Sequence, residues 1–279
     1  MTRYARPNTL AEAVHLLAQG GGTLLAGGTD FYPALGDRPA TGSVIDISRI
    51  REMKGVRVTA EEIRIGGLIT WSELLASSLP RCYDALKSAA REIGGVQIQN
   101  RGTVAGNLCN ASPAADSVPP LLVLDAEVEL LSESGNRRMA LAEFILGNRK
   151  TLRRQNEILT AVIVPRGLDE AKSVFLKLGA RRYLVISIVM VAAAVKVNGG
   201  VVEEARVAVG ACSAQAQRLR ALEQSLTGAP ARPGMGAMVR LEHLAPLSPI
   251  DDVRATASYR RDAALTLVAR ALDACVENS

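Results

Sequence analysis

The chain has 279 residues, nearly half of them apolar, enough for one large domain or two modest ones with a real core. Its formal charge is +5, but the basic residues are dispersed among acidic ones and aromatics make up only 3%, which argues against a nucleic-acid arm or a base-stacking platform. The four cysteines (Cys82, Cys109, Cys212, Cys275) form no C-x-x-C, and the two histidines, His15 and His243, lie far apart. Neither a zinc site nor an iron–sulfur cluster is supported, and a reduced, cytoplasmic setting is expected.

Residues Met1 to Pro7 contain no apolar core of a signal peptide. Thr9-Leu-Ala-Glu12 is a capping box that opens a helix with Leu10, Val14 and Leu17 on one face. Gly20-Gly-Gly22 ends it, and Thr23 to Ala26 is a short strand running into Gly27-Gly28. A second strand at Ser43 to Ile47 completes a small βαβ unit over residues 1 to about 55. Arg57 to Gly66 alternates like a hairpin, and Thr70-Trp-Ser-Glu73 is a second capping box. Trp71 reads as packing. A longer helix is expected from Arg81 to Ile93, halted by Gly94-Gly95.

The stretch 101–116 reads as a loop of small residues, followed by Pro119-Pro120 and an apolar segment. Strands are expected at Glu127 to Ser132 and Ile158 to Pro165, with a short helical or irregular piece at Leu141 to Leu146. A boundary near Arg166 to Lys172 separates a second domain. There, strands are expected at Ser173 to Ala180, Val185 to Val197 and Val201 to Gly210, with Asn198-Gly-Gly200 as a hairpin turn. Helices are expected at Leu219 to Leu226, Met235 to His243 and Tyr259 to Val276. The run Val185 to Val197, broken by Ser187 and Lys196, is too short to span a bilayer.

Two stretches carry chemistry. Leu25-Ala-Gly-Gly-Thr-Asp30 and Arg101-Gly-Thr-Val-Ala-Gly-Asn107 are rich in glycine, which lets a phosphate reach consecutive main-chain N–H groups. Thr29 and Thr103 add hydroxyl donors and Asn107 an amide; Asp116 can accept from a ribose or ribityl hydroxyl. Neither stretch is a G-x-G-x-x-G or a Walker motif, and taken singly each also fits an ordinary turn.

Together, Ala26-Gly-Gly-Thr-Asp30, Asn100-Arg-Gly-Thr-Val-Ala-Gly-Asn107 and Asn110-Ala-Ser-Pro-Ala-Ala-Asp116 resemble the FAD-binding subunit of the molybdenum hydroxylases, the medium chain of the xanthine dehydrogenase and carbon monoxide dehydrogenase family. Glu157 to Pro165, Phe175-Leu-Lys177, Arg181-Arg182 and Pro249 to Arg254 extend the likeness over the whole chain. The resemblance implies an α+β, PCMH-type FAD-binding domain over residues 1–168, with subdomains of about 1–55 and 56–168. A C-terminal domain over 169–279, with a three-stranded antiparallel sheet and a helical bundle, would follow. It implies FAD held non-covalently by Leu24, Leu25, Ala26, Gly27, Gly28, Thr29, Asp30 and Phe31 and by Gly102, Thr103, Val104, Ala105, Gly106 and Asn107. Ile93, Gly94 and Asp116 fall at further cofactor positions; Ile158 and Leu159 fall beside the flavin ring, with Lys177 near it.

Two departures stand out. Ala105 occupies a position where many relatives carry glycine, which is tolerable only if φ is negative there. Arg181 to Ser187 lacks the acidic residue many relatives have after the arginine pair. No side chain in either stretch is placed for acid–base catalysis, and a flavin needs none to pass electrons. The expected function is therefore an electron-transfer subunit of an oxidoreductase complex. The resemblance implies that it passes electrons from the 2Fe-2S clusters of a small subunit to a terminal acceptor, with molybdopterin on a large subunit, in a dimer of heterotrimers. The alternatives are a stand-alone FAD-dependent oxidase or reductase of the same fold, and a non-enzymatic nucleotide-binding scaffold. Covalent oxidases of that fold carry a histidine where this chain has Thr29.

Overall fold

A computed structural model describes residues 3–277. Met1, Thr2, Asn278 and Ser279, at the ends of the two expected domains, lie outside the described residues. The chain opens with β1 (Arg3–Ala5), α1 (Leu10–Gly20), β2 (Thr23–Leu25), α2 (Phe31–Leu35) and β3 (Ser43–Asp46). β3 lies between β1 and β2, parallel to both. The expected βαβ unit is present, with β1 as an extra edge strand. Thr9 caps α1 by accepting from the Glu12 N–H, but the Glu12 carboxylate reaches the Asn8 N–H and not that of Thr9. Ala13, Val14 and Leu17 bury one face of α1 against Ile45, Ile47 and Ile50.

The second subdomain is built on an antiparallel sheet of β4 (Val56–Val58), β5 (Glu62–Gly66), β6 (Glu127–Ser132), β7 (Gly135–Ala140) and β10 (Ile158–Pro165), in the order β4-β5-β10-β6-β7. Between β5 and β6 run α3 (Trp71–Ala76), α4 (Asp84–Glu92), α5 (Val96–Gln99), α6 (Val104–Asn110) and α7 (Val118–Val123). Between β7 and β10 come α8 (Leu141–Phe144), β8 (Ile145–Gly147) and β9 (Lys150–Thr151). Central β10 is buried from Ile158 to Val164, as a strand covered on both faces must be. The Thr70–Glu73 capping box is complete. The expected single helix from Arg81 is a 3-10 turn (Arg81–Tyr83) leading into α4. Pro119 and Pro120 do not interrupt structure; they sit in the first turn of α7, where missing N–H groups cost nothing.

The third part has the sheet order β11 (Lys172–Leu178), β12 (Val189–Asn198), β13 (Val201–Gly210) and β14 (Gln217–Arg218), so a two-residue fourth strand joins the expected three. β12 starts at Val189 and not at Val185; Tyr183, Leu184 and Ile186 lie in an exposed loop. Gly199 and Gly200, both at positive φ, make the β12–β13 turn. α9 (Arg220–Leu226) and α10 (Ala257–Val276) cover the outer face. The expected helix at 235–243 is instead two 3-10 turns, Met235–Met238 and Leu241–Leu244, with extended residues between them.

The two parts share a wall. Met190, Ala192 and Ala194 of β12 pack into the core of the central sheet, while Val189, Val191, Ala193 and Val195 face α9 and α10. Arg206 and Arg218 hold the C-terminal end of α7, donating to the carbonyls of Val123 and Leu122 and pairing with Asp125.

Near the end of the chain, buried Arg260 donates to the carbonyls of Ile188 (2.6 Å) and Ala211 (3.1 Å) and to Asp252 (2.7 Å). The Arg254 N–H foremost, against desolvation that works the other way, and then Arg260 hold the Asp252 carboxyl down to about 2 from an ordinary 3.8. A depressed carboxyl stabilises the fold above its unfolded value, and that contribution disappears as pH falls through the folded value. Asp252→Asn therefore lowers the thermal midpoint at neutral pH. The gap from wild type closes between about pH 4 and pH 2, measurable as unfolding curves across that range.

Candidate cofactor site

β2 delivers the chain into residues 26–30 at the junction of the two subdomains. Gly27 lies against the Arg101–Gly102 backbone so closely that a Cβ there would run into the Arg101 carbonyl. The two glycine segments, over 70 residues apart in sequence, are therefore in direct contact. Gly28 has φ +75°, and a Cβ on it would press on the Tyr32 ring. Among the described residues, the main-chain N–H groups of Gly27, Gly28, Thr29 and Asp30 have no partner. Four consecutive unpaired donors on a glycine turn are suited to an anion.

The second segment works differently from the sequence expectation. It is not a bare loop: residues 104–110 form α6, capped by Thr103, whose hydroxyl accepts from the Gly106 N–H. The N–H of Val104 donates to Ile69 and that of Ala105 to Gly67, so these amides are already committed. Ala105 lies within the helix and not at positive φ, which explains why a methyl is tolerated there. What remains is a side chain. Ser117 Oγ donates to Asn107 Oδ1 at 2.6 Å, which sets the amide orientation and leaves the Asn107 Nδ2 without a protein partner.

Two cavities meet at this junction. The larger, about 440 Å³, is lined by residues Leu24 to Phe31 of the first segment, by Gly102, Thr103, Gly106 and Asn107 of the second, and by Ile93. The smaller, about 280 Å³, is a mainly apolar slot bounded by Ile47, Met53, Leu68, Ala105, Ile158 and Leu159, with Arg153 as the one charged side chain in its wall. Thr23, Leu24, Ala26, Gly106 and Cys109 belong to both walls, so the two adjoin. The first carries the free main-chain donors, and the second is walled mostly by apolar side chains. Free N–H groups, glycines with no room for a Cβ and an adjoining apolar slot fit a dinucleotide with a planar ring.

Four expected residues line neither cavity. Val104 is wholly buried in the core, because the α6 face that carries it turns away from the cavity. Gly94, at φ +58°, makes the turn after α4, and a Cβ on it would clash with Ile98. Asp116 and Lys177 line neither cavity. Lys177 Nζ lies 2.6 Å from Asp116 Oδ2, and Ser187 Oγ lies 2.6 Å from Oδ1. Both side chains are about 7% exposed. Burial pushes the Asp116 carboxyl up, and Lys177 pulls it partly back. This pair joins the second and third parts of the chain just behind Asn107.

The sequence did not single out Arg149, Cys109, Ile98 or Asn110, all in the wall of the larger cavity. Trp71 is a core residue whose indole backs Gly102. Arg149 pairs with Asp30 through both guanidinium nitrogens, at 3.1 and 3.2 Å. No local pattern announces it, since the contact spans most of the second subdomain.

The fold leaves, between two α+β units, a two-part cavity whose free amides and apolar slot are of the kind a dinucleotide needs. Residues 1–167 match the family described as the FAD binding domain in molybdopterin dehydrogenase, and residues 175–275 match the CO dehydrogenase flavoprotein C-terminal domain. The nicotinate dehydrogenase FAD-subunit of Eubacterium barkeri is 36% identical over 236 residues, covering 81% of this chain and 80% of that protein. The glyceraldehyde dehydrogenase medium chain of Sulfolobus acidocaldarius is 29% identical over 271 residues, 96% of each chain. Carbon monoxide dehydrogenase from Hydrogenophaga pseudoflava superposes with a TM-score of 0.88 at 29% identity, over 98% of this chain and 96% of that one. The chain belongs to the family of FAD-binding medium subunits of the molybdenum hydroxylases, and is an oxidoreductase subunit.

The Asp116–Lys177 pair generates a test of its role. Removing one partner strands a buried charge, so Asp116→Ala and Lys177→Met each cost about 3–5 kcal/mol of stability. The double variant Asp116→Asn/Lys177→Met recovers most of that loss; denaturant unfolding of all three variants checks it.

Proposed function

We propose that this subunit holds FAD non-covalently across the two adjoining cavities and relays electrons between a partner and a terminal acceptor. The observation that carries the reading is the run of unpaired N–H groups at residues 27–30, set in a cavity that adjoins a mainly apolar slot. Bound FAD supplies the conversion between one-electron and two-electron transfer. The chain's own residues bind and orient it. The amides of 27–30 and the Asn107 Nδ2 receive the diphosphate, and Ser117 keeps that amide turned toward it. Ala105, Ile158 and Leu159 exclude water from a ring in the slot.

Non-covalent attachment is supported by the wall chemistry. Neither histidine lines the cavities. Burial pushes the Cys109 thiol up to about 11, which keeps it in its unreactive neutral form. The larger cavity has one carboxylate, Asp30, and it is committed to Arg149, which disfavours a stand-alone enzyme needing its own acid or base. Among the described residues no cluster of three metal-binding side chains occurs and no helix is long and apolar enough to cross a membrane. By its likeness to medium chains of multi-subunit dehydrogenases, we assign the 2Fe-2S clusters to a small partner and molybdopterin to a large one, in a dimer of heterotrimers. Four scattered cysteines with no C-x-x-C suit a cytoplasmic setting. Residues 1–168 form the cofactor domain in this reading and 169–279 the C-terminal domain.

Purified with its partner subunits, the chain is yellow and releases FAD on denaturation. Gly28→Val puts a branched side chain at φ +75° beside Tyr32 and lowers flavin content severalfold with the far-UV spectrum unchanged. Asn107→Ala removes one donor and weakens FAD binding by about tenfold. Normal flavin content in both variants would overturn the placement.

A further inference from the structure

The larger cavity has two charged side chains in its wall, Asp30 and Arg149, and they face each other across its mouth. Asp30 ends the very run of unpaired amides to which the diphosphate is assigned. Alone, its carboxylate would repel that anion at short range. Arg149 cancels it with a two-pronged contact.

Stability does not account for this pair. Both side chains are about half exposed or more, at 60% and 49%, and such pairs contribute little to folding. Yet Arg149 sits at φ +55°, a left-handed conformation that non-glycine residues adopt only where the surroundings enforce it. Its N–H donates to the Ala111 carbonyl at the end of α6, and its side chain reaches the first glycine segment. One residue on the β8–β9 hairpin thus touches both halves of the site.

We propose that Arg149 is a positioning residue for the anionic dinucleotide. It neutralises Asp30 and holds the first glycine segment at the cavity wall, so that the free amides meet the diphosphate without an unpaired carboxylate beside them. The inference rests on the FAD reading above and adds a residue and a role to it.

The test uses the complete complex, stripped of flavin and titrated with FAD by equilibrium dialysis at several salt concentrations. Arg149→Ala weakens binding by about tenfold at low salt, and added salt narrows the deficit because it screens the exposed Asp30 charge. Arg149→Lys, which keeps the charge but not the fork, loses less than Arg149→Ala. The double variant Asp30→Asn/Arg149→Ala returns to within about threefold of wild type, because the carboxylate needing neutralisation is gone. That rescue is not expected of a merely structural arginine. Unchanged binding in Arg149→Ala, or a double variant as weak as the single one, overturns the inference alone. A wild-type complex that takes up no FAD overturns the cofactor reading and this inference with it.

Discussion

The architecture depends on one close approach: the Gly27 backbone against the Arg101 carbonyl. No other residue type fits at position 27, and the approach brings the turn after β2 within reach of the capped start of α6. Both subdomains are arranged around it. α1 and the three-stranded sheet fix one side through Val14, Leu17 and Ile45; the turn after β5, tied to β10 by the Gly67 N–H on the Thr160 carbonyl, fixes the other through the Gly67 and Ile69 carbonyls that hold Ala105 and Val104. The cavity is what remains beside this approach, where the two units, joined below by the shared packing of Leu17 and Ile47 with Leu68 and Ile158, diverge.

The two segments contribute unlike chemistry. The first offers main-chain donors on a turn that leaves them unsatisfied. The second has spent its helix-start amides internally and offers shape, a side-chain amide and a small-residue surface. A helix that satisfies its own first turn is rigid, and it fixes Asn107 through Ser117. The division makes sense physically. One half supplies donors that cost little to bring together, because glycine tolerates the turn; the other supplies the firm wall they are measured against.

Much of this was legible in the residues because the signals are local. Capping boxes, the Asn198-Gly-Gly200 turn and the alternation over Arg57 to Gly66 each act within a few residues. The β2 strand and the glycine turn after it were readable for the same reason. α6 was read as a loop because glycine, asparagine and alanine look like loop composition, while the Thr103 cap and the carbonyls of Gly67 and Ile69 that secure it are visible only in three dimensions. α7 was obscured by Pro119-Pro120, which break a helix everywhere except where they stand. Asp116 and Lys177 pair with each other across 61 positions, a contact no local pattern shows. Arg149 had no sequence signal, because its meaning comes from a hairpin that folds back over 119 positions to Asp30.

β12 has two loyalties. Its even-numbered residues from Met190 to Ala194 belong to the core that walls the cavity region, and its odd-numbered ones to the helices outside. The small alanines on the inner side let α7 lie close, and Arg206 and Arg218 grip the end of that helix. Cut after the first 168 residues, the nucleotide-holding portion would present the greasy flanks of α4 and α7 to solvent and lose the clasp on α7. The final third is thus less an appended module than the missing back panel of the first two, and the pieces would have to be inherited as one.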